Sequence, residues 1–67
     1  MEHTFKAIKQ ELELARAEEA EALRRAHHLR SRGAPWSEVR AAMLEADVCH
    51  SRVARLQQEL RSLREPA

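Results

Sequence analysis

The chain has few of the residues that brace small proteins. It has 67 residues with one cysteine, one glycine, two prolines, two aromatic side chains and no tyrosine. Its single cysteine, Cys49, cannot form an intrachain disulfide. A chain of this size buries only about 60% of its unfolded surface, so it usually needs a disulfide, a metal or oligomerisation. We therefore expect one domain that is stabilised by self-association or by docking on a partner.

Long apolar runs and an excess of one charge are also missing. No segment approaches the ~20 apolar residues of a membrane span, and Met1–Lys6 lacks the apolar core of a signal peptide. The net charge of +1 gives no overall attraction to nucleic acid or membranes. A lone cysteine favours a reducing compartment, so we expect a cytoplasmic protein. The excess of arginine over lysine is typical of bacterial or phage genomes of high GC content.

What remains is a helical composition rich in alanine, glutamate, leucine and arginine, with 34% charged residues. Helical patterning breaks at Ser31–Pro35, where Gly33 suits the end of one helix and Pro35 the start of another. Residues 1–67 are therefore predicted to form one helical hairpin. It has a helix over 4–32 capped by Thr4, a turn over 33–35 and a helix over 36–64.

Each helix carries one apolar stripe at spacings of three, four and seven residues. The stripe of the first helix is Phe5, Ile8, Leu12, Ala15, Ala22, Ala26 and Leu29. That of the second is Trp36, Val39, Met43, Ala46, Val53, Leu56, Leu60 and Leu63, with Ala42 and Cys49 beside it. A short connection makes the helices antiparallel neighbours. Facing residues should then have numbers that sum to about 68, which pairs apolar with apolar throughout. The predicted fold is all-α, a coiled-coil-like antiparallel hairpin.

Two helices leave apolar flanks in water, and a homodimeric four-helix bundle is the simplest closure. The residues expected to drive self-association are Ile8, Leu12, Val53, Leu56 and Leu60. A second apolar face for a partner is expected from side chains that lie off the stripes. These are Leu14, Leu23, Leu44 and Val48.

His50 is expected at a heptad core position opposite Glu18 and Glu19, where the stripe of the first helix is interrupted. A polar layer of this kind can fix register and oligomeric state. The alternative is an ion pair at the rim, in water.

The loop end of the hairpin is rich in cations. They are Arg24, Arg25, Arg30, Arg32 and, from the second helix, Arg40. One interpretation is a site for an anion or an acidic partner; the other is cations favoured by a helix C-terminus. Trp36 lies beside them, either covering Leu29 and Val39 or acting as a binding anchor.

No pattern predicts catalysis, a cofactor or a metal site. Cys49 would need a base and an oxyanion hole to act as a nucleophile, and a hairpin offers no cleft for them. His27 and His28 are adjacent and point about 100° apart on a helix, so they cannot share a metal. The glutamates alternate with arginines, as on a solvated helix surface.

Resemblances to three known protein families suggest alternative functions for the chain. Gly33–Met43 resembles the second helix of bacterial helix-turn-helix regulators, and Cys49–Leu56 resembles their recognition helix, although Leu44–Asp47 lacks their turn. The shape of the chain, with Arg32-Gly33 at the bend, is similar to small type III secretion co-chaperones. It is also similar to plasmid copy-control proteins of the Rop type, which dimerise and bind RNA. We expect a non-enzymatic interaction module, such as an assembly factor, small chaperone or regulatory adaptor, with a nucleic-acid-binding regulator as the alternative.

Overall fold

Two helices packed against each other make up the described part of the protein. A computed structural model describes the backbone of residues 2–64 and the side chains of residues 4–63; the ends of the predicted 1–67 hairpin lie outside this range. Helix α1 is Glu2–Ser31 and helix α2 is Trp36–Arg64, with no strand in residues 2–64. The hairpin is 50 Å long. Because α1 begins at Glu2, Thr4 lies inside the first turn and is not the N-cap.

The end of α1 is a Schellman motif centred on Gly33. The Ala34 amide donates to the Leu29 carbonyl at 3.0 Å, and the Gly33 amide donates to the Arg30 carbonyl at 3.1 Å. Gly33 has φ = 75°, a left-handed conformation that only glycine adopts without strain. The half-buried side chains of Leu29 and Ala34 occupy the two positions that commonly touch in this motif. The chain therefore reverses direction within four residues.

Helix α2 begins immediately after Pro35. The Pro35 carbonyl accepts hydrogen bonds from the Glu38 amide at 3.0 Å and the Val39 amide at 3.3 Å. Pro35 thus occupies the N-cap position, one residue before the N1 position suggested by its residue type. A proline here costs no hydrogen bond, since the first amides of a helix have no intrahelical acceptor. Glu38 adds a negative charge near the positive end of the helix dipole.

The buried residues form a seam between the helices at spacings of three, four and seven residues. They are Leu12, Ala15, Ala22, Ala26, Val39, Ala42, Ala46, Val53 and Leu56. Ala42 is 4% exposed whereas Met43 is 41% exposed, so Met43 leaves the stripe predicted for it and Ala42 takes its place. The reason is helical phase: Ala42 continues the three-four spacing from Val39 to Ala46.

Larger side chains pack in the half of the hairpin away from the loop. Leu12, Ala15, Val53 and Leu56 form one buried cluster, and Ile8 and Leu60 pack against it. The half nearer the loop has alanines at most buried positions, so the helices approach closely there but bury little apolar surface. The core is therefore uneven along its length.

Cross-helix ion pairs report the register. Arg25 pairs with Glu45, His50 with Glu19, and Arg52 with Glu18. The residue numbers within each pair add to nearly the total predicted for facing positions. Helix α2 is also continuous through Leu44–Asp47, so the turn that a helix-turn-helix domain requires is absent from it.

Candidate interaction surfaces

The hairpin has two sides that flank the seam and differ in chemistry. Leu23 and Arg25 are two residues apart in α1, which places them about 200° apart around the helix, on opposite sides of the seam. Met43 and Glu45 are related in the same way in α2. We call the side with Glu18, Arg25, Glu45 and Arg52 the ion-pair side. We call the side with Leu23, Trp36, Met43 and His50 the tryptophan side.

Two ion pairs join the helices on the ion-pair side. Arg25 Nη1 donates to Glu45 Oε2 at 2.7 Å, and Arg52 Nη1 donates to Glu18 Oε1 at 3.3 Å. All four side chains are 41–55% exposed, so each pair contributes only about 0.2–1 kcal/mol. The pairs fix which residues face each other more than they stabilise the fold.

Two shallow depressions open on the ion-pair side. One, of about 270 Å³, lies between the helices near the loop and is lined by Arg25, Leu29, Glu38, Ala41, Ala42 and Glu45. The other, of about 520 Å³, runs along α2 and is lined by Val48, Ser51, Arg52 and Arg55. Both are open to solvent, unlike the enclosed clefts that are typical of small-molecule sites.

The three residues of the predicted polar layer do not lie together in the seam. Glu19 lies in the seam, whereas Glu18 and His50 lie at its exposed edges. Glu19 occupies a seam position between Ala15 and Ala22, and its side chain is 22% exposed. His50 Nδ1 lies 2.8 Å from Glu19 Oε2, but the His50 side chain is 71% exposed. Cys49, not His50, occupies the seam position of α2 at this level and is half-buried. No polar side chain among the described residues is buried, so the layer is a rim contact.

The residues predicted to drive self-association lie inside the hairpin itself. Leu12, Val53 and Leu56 are only 5–7% exposed, and Ile8 and Leu60 pack against them. Little of their surface is left for a second copy, because the two helices cover each other. Any apolar contact with another chain must therefore use other side chains.

Such side chains are present, but the four predicted for a partner do not share one face. By helical phase, Leu14 and Val48 lie on the ion-pair side and Leu23 lies on the tryptophan side. Leu44 points away from the seam, on the outer face of α2. Each is at least 53% exposed. The sequence prediction of a single second face is therefore replaced by two separate sides.

The tryptophan side carries three large apolar side chains near the loop that are exposed to solvent. Leu23 and Met43 are 53% and 41% exposed and flank the seam from opposite helices. Trp36 follows two turns nearer the loop and is 61% exposed. With most of its surface in water, Trp36 does not join the buried stripe predicted to include it. Met43 was missed as a contact residue because its apolar character was taken as a sign of the core.

The predicted arginines surround the loop end without forming one patch. Arg25 and Arg32 lie on the ion-pair side, Arg30 and Arg40 on the tryptophan side, and Arg24 on the outer face of α1. All five are exposed. Within residues 4–63, Arg25 alone of this set has an ion-pair partner.

In the described part of the chain, the His, Cys, Asp and Glu residues form no group of three or more that could hold a metal ion. Neither α1 nor α2 has the length and apolar content needed to cross a bilayer.

Comparison with models of known protein families, with curated proteins and with solved structures finds no match for the chain. The function is therefore argued from its own residues.

Proposed function

We propose that this chain is a non-enzymatic protein-interaction module of the cytoplasm, an assembly factor, small chaperone or regulatory adaptor that acts as a homodimer. The main support is the mismatch between its core and its surface. Among residues 4–63, five of the nine buried residues are alanines, while seven large apolar side chains are at least 41% exposed. A chain of this size with so thin a core gains stability when another helical surface covers its apolar flanks.

The ion-pair side is the better surface for contact with an identical copy. Leu14 and Val48 are 57% and 69% exposed there. Its charges have both signs, with exposed glutamates beside Arg25 and Arg52. An antiparallel pair of such surfaces can oppose unlike charges, and it closes into the four-helix bundle that two hairpins form most simply.

Sedimentation equilibrium over micromolar to millimolar concentrations tests this proposal. We expect the wild type to be a dimer. In Leu14→Glu/Val48→Glu the dissociation constant of the dimer should rise at least tenfold, which is a loss of about 1.4 kcal/mol in the free energy of association. Leu44→Glu/Gln58→Glu is the matched control, because it adds the same two negative charges on the outer face of α2. A wild type that stays monomeric, or an equal effect of the control, would contradict self-association through this side.

Nucleic-acid binding is the second candidate, supported by the exposed arginines around the loop. Phosphate contacts make binding fall steeply with salt, so titrations of double-stranded DNA and RNA at several salt concentrations are informative. If this candidate is right, replacing four arginines by glutamine should weaken binding and should make the affinity less dependent on salt concentration. The variant is Arg24→Gln/Arg30→Gln/Arg32→Gln/Arg40→Gln. Absence of binding by the wild type at low salt rejects it.

A further inference from the structure

The small net charge of the chain conceals a separation of charge around the hairpin. Stepping by three, four and seven residues from Leu23 and Met43 gives the charged positions of the tryptophan side. The cations there are Lys6, Lys9, Arg16, Arg30, Arg40 and Arg61. The acids there are Glu13, Asp47 and the half-buried Glu19, whose carboxylate contacts His50 on this side. The six cations, Glu13 and Asp47 are exposed. Among residues 4–63 the cations of the tryptophan side therefore outnumber its acids six to three, although the whole chain has a net charge of only +1.

The opposite side has the reverse balance. Its acids are Glu11, Glu18, Glu21, Glu38, Glu45 and Glu59. Its cations are Arg25, Arg32, Arg52 and Arg55. Two of those cations are already bound to Glu45 and Glu18. Thus the two sides present different charges to a partner.

Apolar surface lies in the middle of the basic field. Leu23 of α1 and Met43 of α2 flank the same side of a seam made of Ala22, Ala26, Ala42 and Ala46, all of which are at most 5% exposed. Alanines at a helix contact allow close approach of the axes, which leaves a shallow surface between the flanking side chains. A third helix can lie along that surface and cover Leu23, Met43 and Trp36.

A second copy of the same side is a poor occupant. Among residues 4–63, a two-fold contact would bring six cations toward six cations with three acids on each copy to offset them. Like charges placed opposite one another disfavour a partner. The occupant must instead supply negative charge together with an apolar stripe.

We propose that the tryptophan side binds an amphipathic helix of another protein, one whose apolar stripe is flanked by aspartate and glutamate. This inference extends the proposed interaction function and assigns it a second surface, separate from the dimer contact. Helix-in-groove recognition uses apolar anchors at helical spacing, which Leu23, Met43 and Trp36 can accept. A nucleic acid would neutralise the arginines and a base can stack on Trp36, but Leu23 and Met43 would stay uncovered, so its chemistry fits the side less well.

Trp36 is the one tryptophan of the chain and reports binding at this surface. The probes are two designed helical peptides of about 25 residues with the same leucine stripe, flanked by glutamate in one and by lysine in the other. We expect the glutamate peptide to shift Trp36 emission to shorter wavelength and to bind at least tenfold more tightly than the lysine peptide. Binding should weaken as salt screens the charges.

A charge-matched pair of variants locates the contact. Arg16→Glu, next to Leu23 by helical spacing, should weaken the glutamate peptide at least tenfold. Gln10→Glu/Gln58→Glu changes the net charge by the same amount on the outer faces and should leave binding unchanged. Circular dichroism checks that both variants keep their helices.

Other results would overturn the inference. Equal affinity of the chain for the two peptides contradicts the inference, and so do equal effects of the two variants. So would displacement of the glutamate peptide by a single-stranded RNA of similar length. Formation of assemblies larger than a dimer that compete with the glutamate peptide would also contradict it. A dimer that binds neither peptide rejects this inference alone. A monomer that binds the glutamate peptide rejects only the self-association of the proposed function.

Discussion

Glu19 and His50 meet across the hairpin, with Oε2 and Nδ1 2.8 Å apart, yet they stand in different environments. Glu19 replaces an apolar residue in the seam and is 22% exposed, whereas His50 is 71% exposed. The carboxylate therefore gives up part of its hydration for one contact with a solvated partner. Such a contact contributes little stability, because the partner is already well hydrated.

Glu19→Leu should accordingly stabilise the hairpin. The leucine would bury apolar surface between Ala15 and Ala22, and we expect a gain of about 1 kcal/mol in the free energy of unfolding. Thermal and urea unfolding followed by circular dichroism measure it. Glu13→Leu, at an exposed position that has no ion pair among residues 4–63, is the control and should give no gain. A loss of stability in Glu19→Leu would mean that the contact with His50 is stronger than its exposure indicates.

The same contact bears on the predicted role of the pair in register and oligomeric state. Sedimentation equilibrium of His50→Leu tests that role, since the substitution removes the polar partner of Glu19. If the pair specifies the assembly, the variant should populate additional oligomeric states. A variant with the same oligomeric state and the same affinity as the wild type would reject the role.

The uneven core predicts where truncation is costly. Leu56 is 5% exposed within the buried apolar cluster, so Leu56→Ala should cost about 2–5 kcal/mol. Small domains have little stability to spare, and we expect the variant to be largely unfolded at 25 °C by circular dichroism. Leu44→Ala, at a position 53% exposed, should stay within about 0.5 kcal/mol of the wild type. Similar losses for both would contradict the observed packing.

Gly33 should tolerate few substitutions although it is surrounded by space. A Cβ built on Gly33 meets no atom within 4 Å, so any cost comes from φ = 75° and not from a clash. We expect Gly33→Ala to lower stability by about 1–2 kcal/mol and Gly33→Asn by less, because asparagine accepts left-handed conformations more readily. Thermal unfolding gives the order. Equal losses for the two would argue that the backbone conformation is not the cause.

The pair Arg25–Glu45 should be weak and sensitive to salt. Its atoms are 2.7 Å apart, but both side chains are about half exposed. A double-mutant cycle with Arg25→Ala and Glu45→Ala should give a coupling of about 0.2–1 kcal/mol that declines between low and high salt. A larger coupling that salt does not change would show that the pair is shielded from solvent.

Sequence patterns were sufficient for the helices and the turn. Gly33 and Pro35 mark the break because one permits a left-handed backbone and the other tolerates a helix start. The two-helix hairpin is confirmed, and its register follows from apolar spacing. Met43 was misplaced because a stripe of large apolar residues was favoured over the alanine at 42. Small side chains give little hydrophobic signal, although their spacing continued the seam.

Side-chain exposure could not be read from residue type. His50 was expected in the seam because it lies near a gap in the stripe of the other helix, but Cys49 holds that position. The difference between neighbouring positions is a rotation of about 100°, which only the packed pair of helices defines. The same rotation separates Leu14 and Val48 from Leu23.

By itself, the sequence determined the local structure: where each helix runs, where the chain reverses, and which residues face each other. These follow from short-range backbone preferences and from helical period. Only the tertiary structure decided which apolar residues were already covered and which remained exposed. It also placed the cations around Leu23 and Met43 on one side, because the charges come from both helices and converge only when the helices pack.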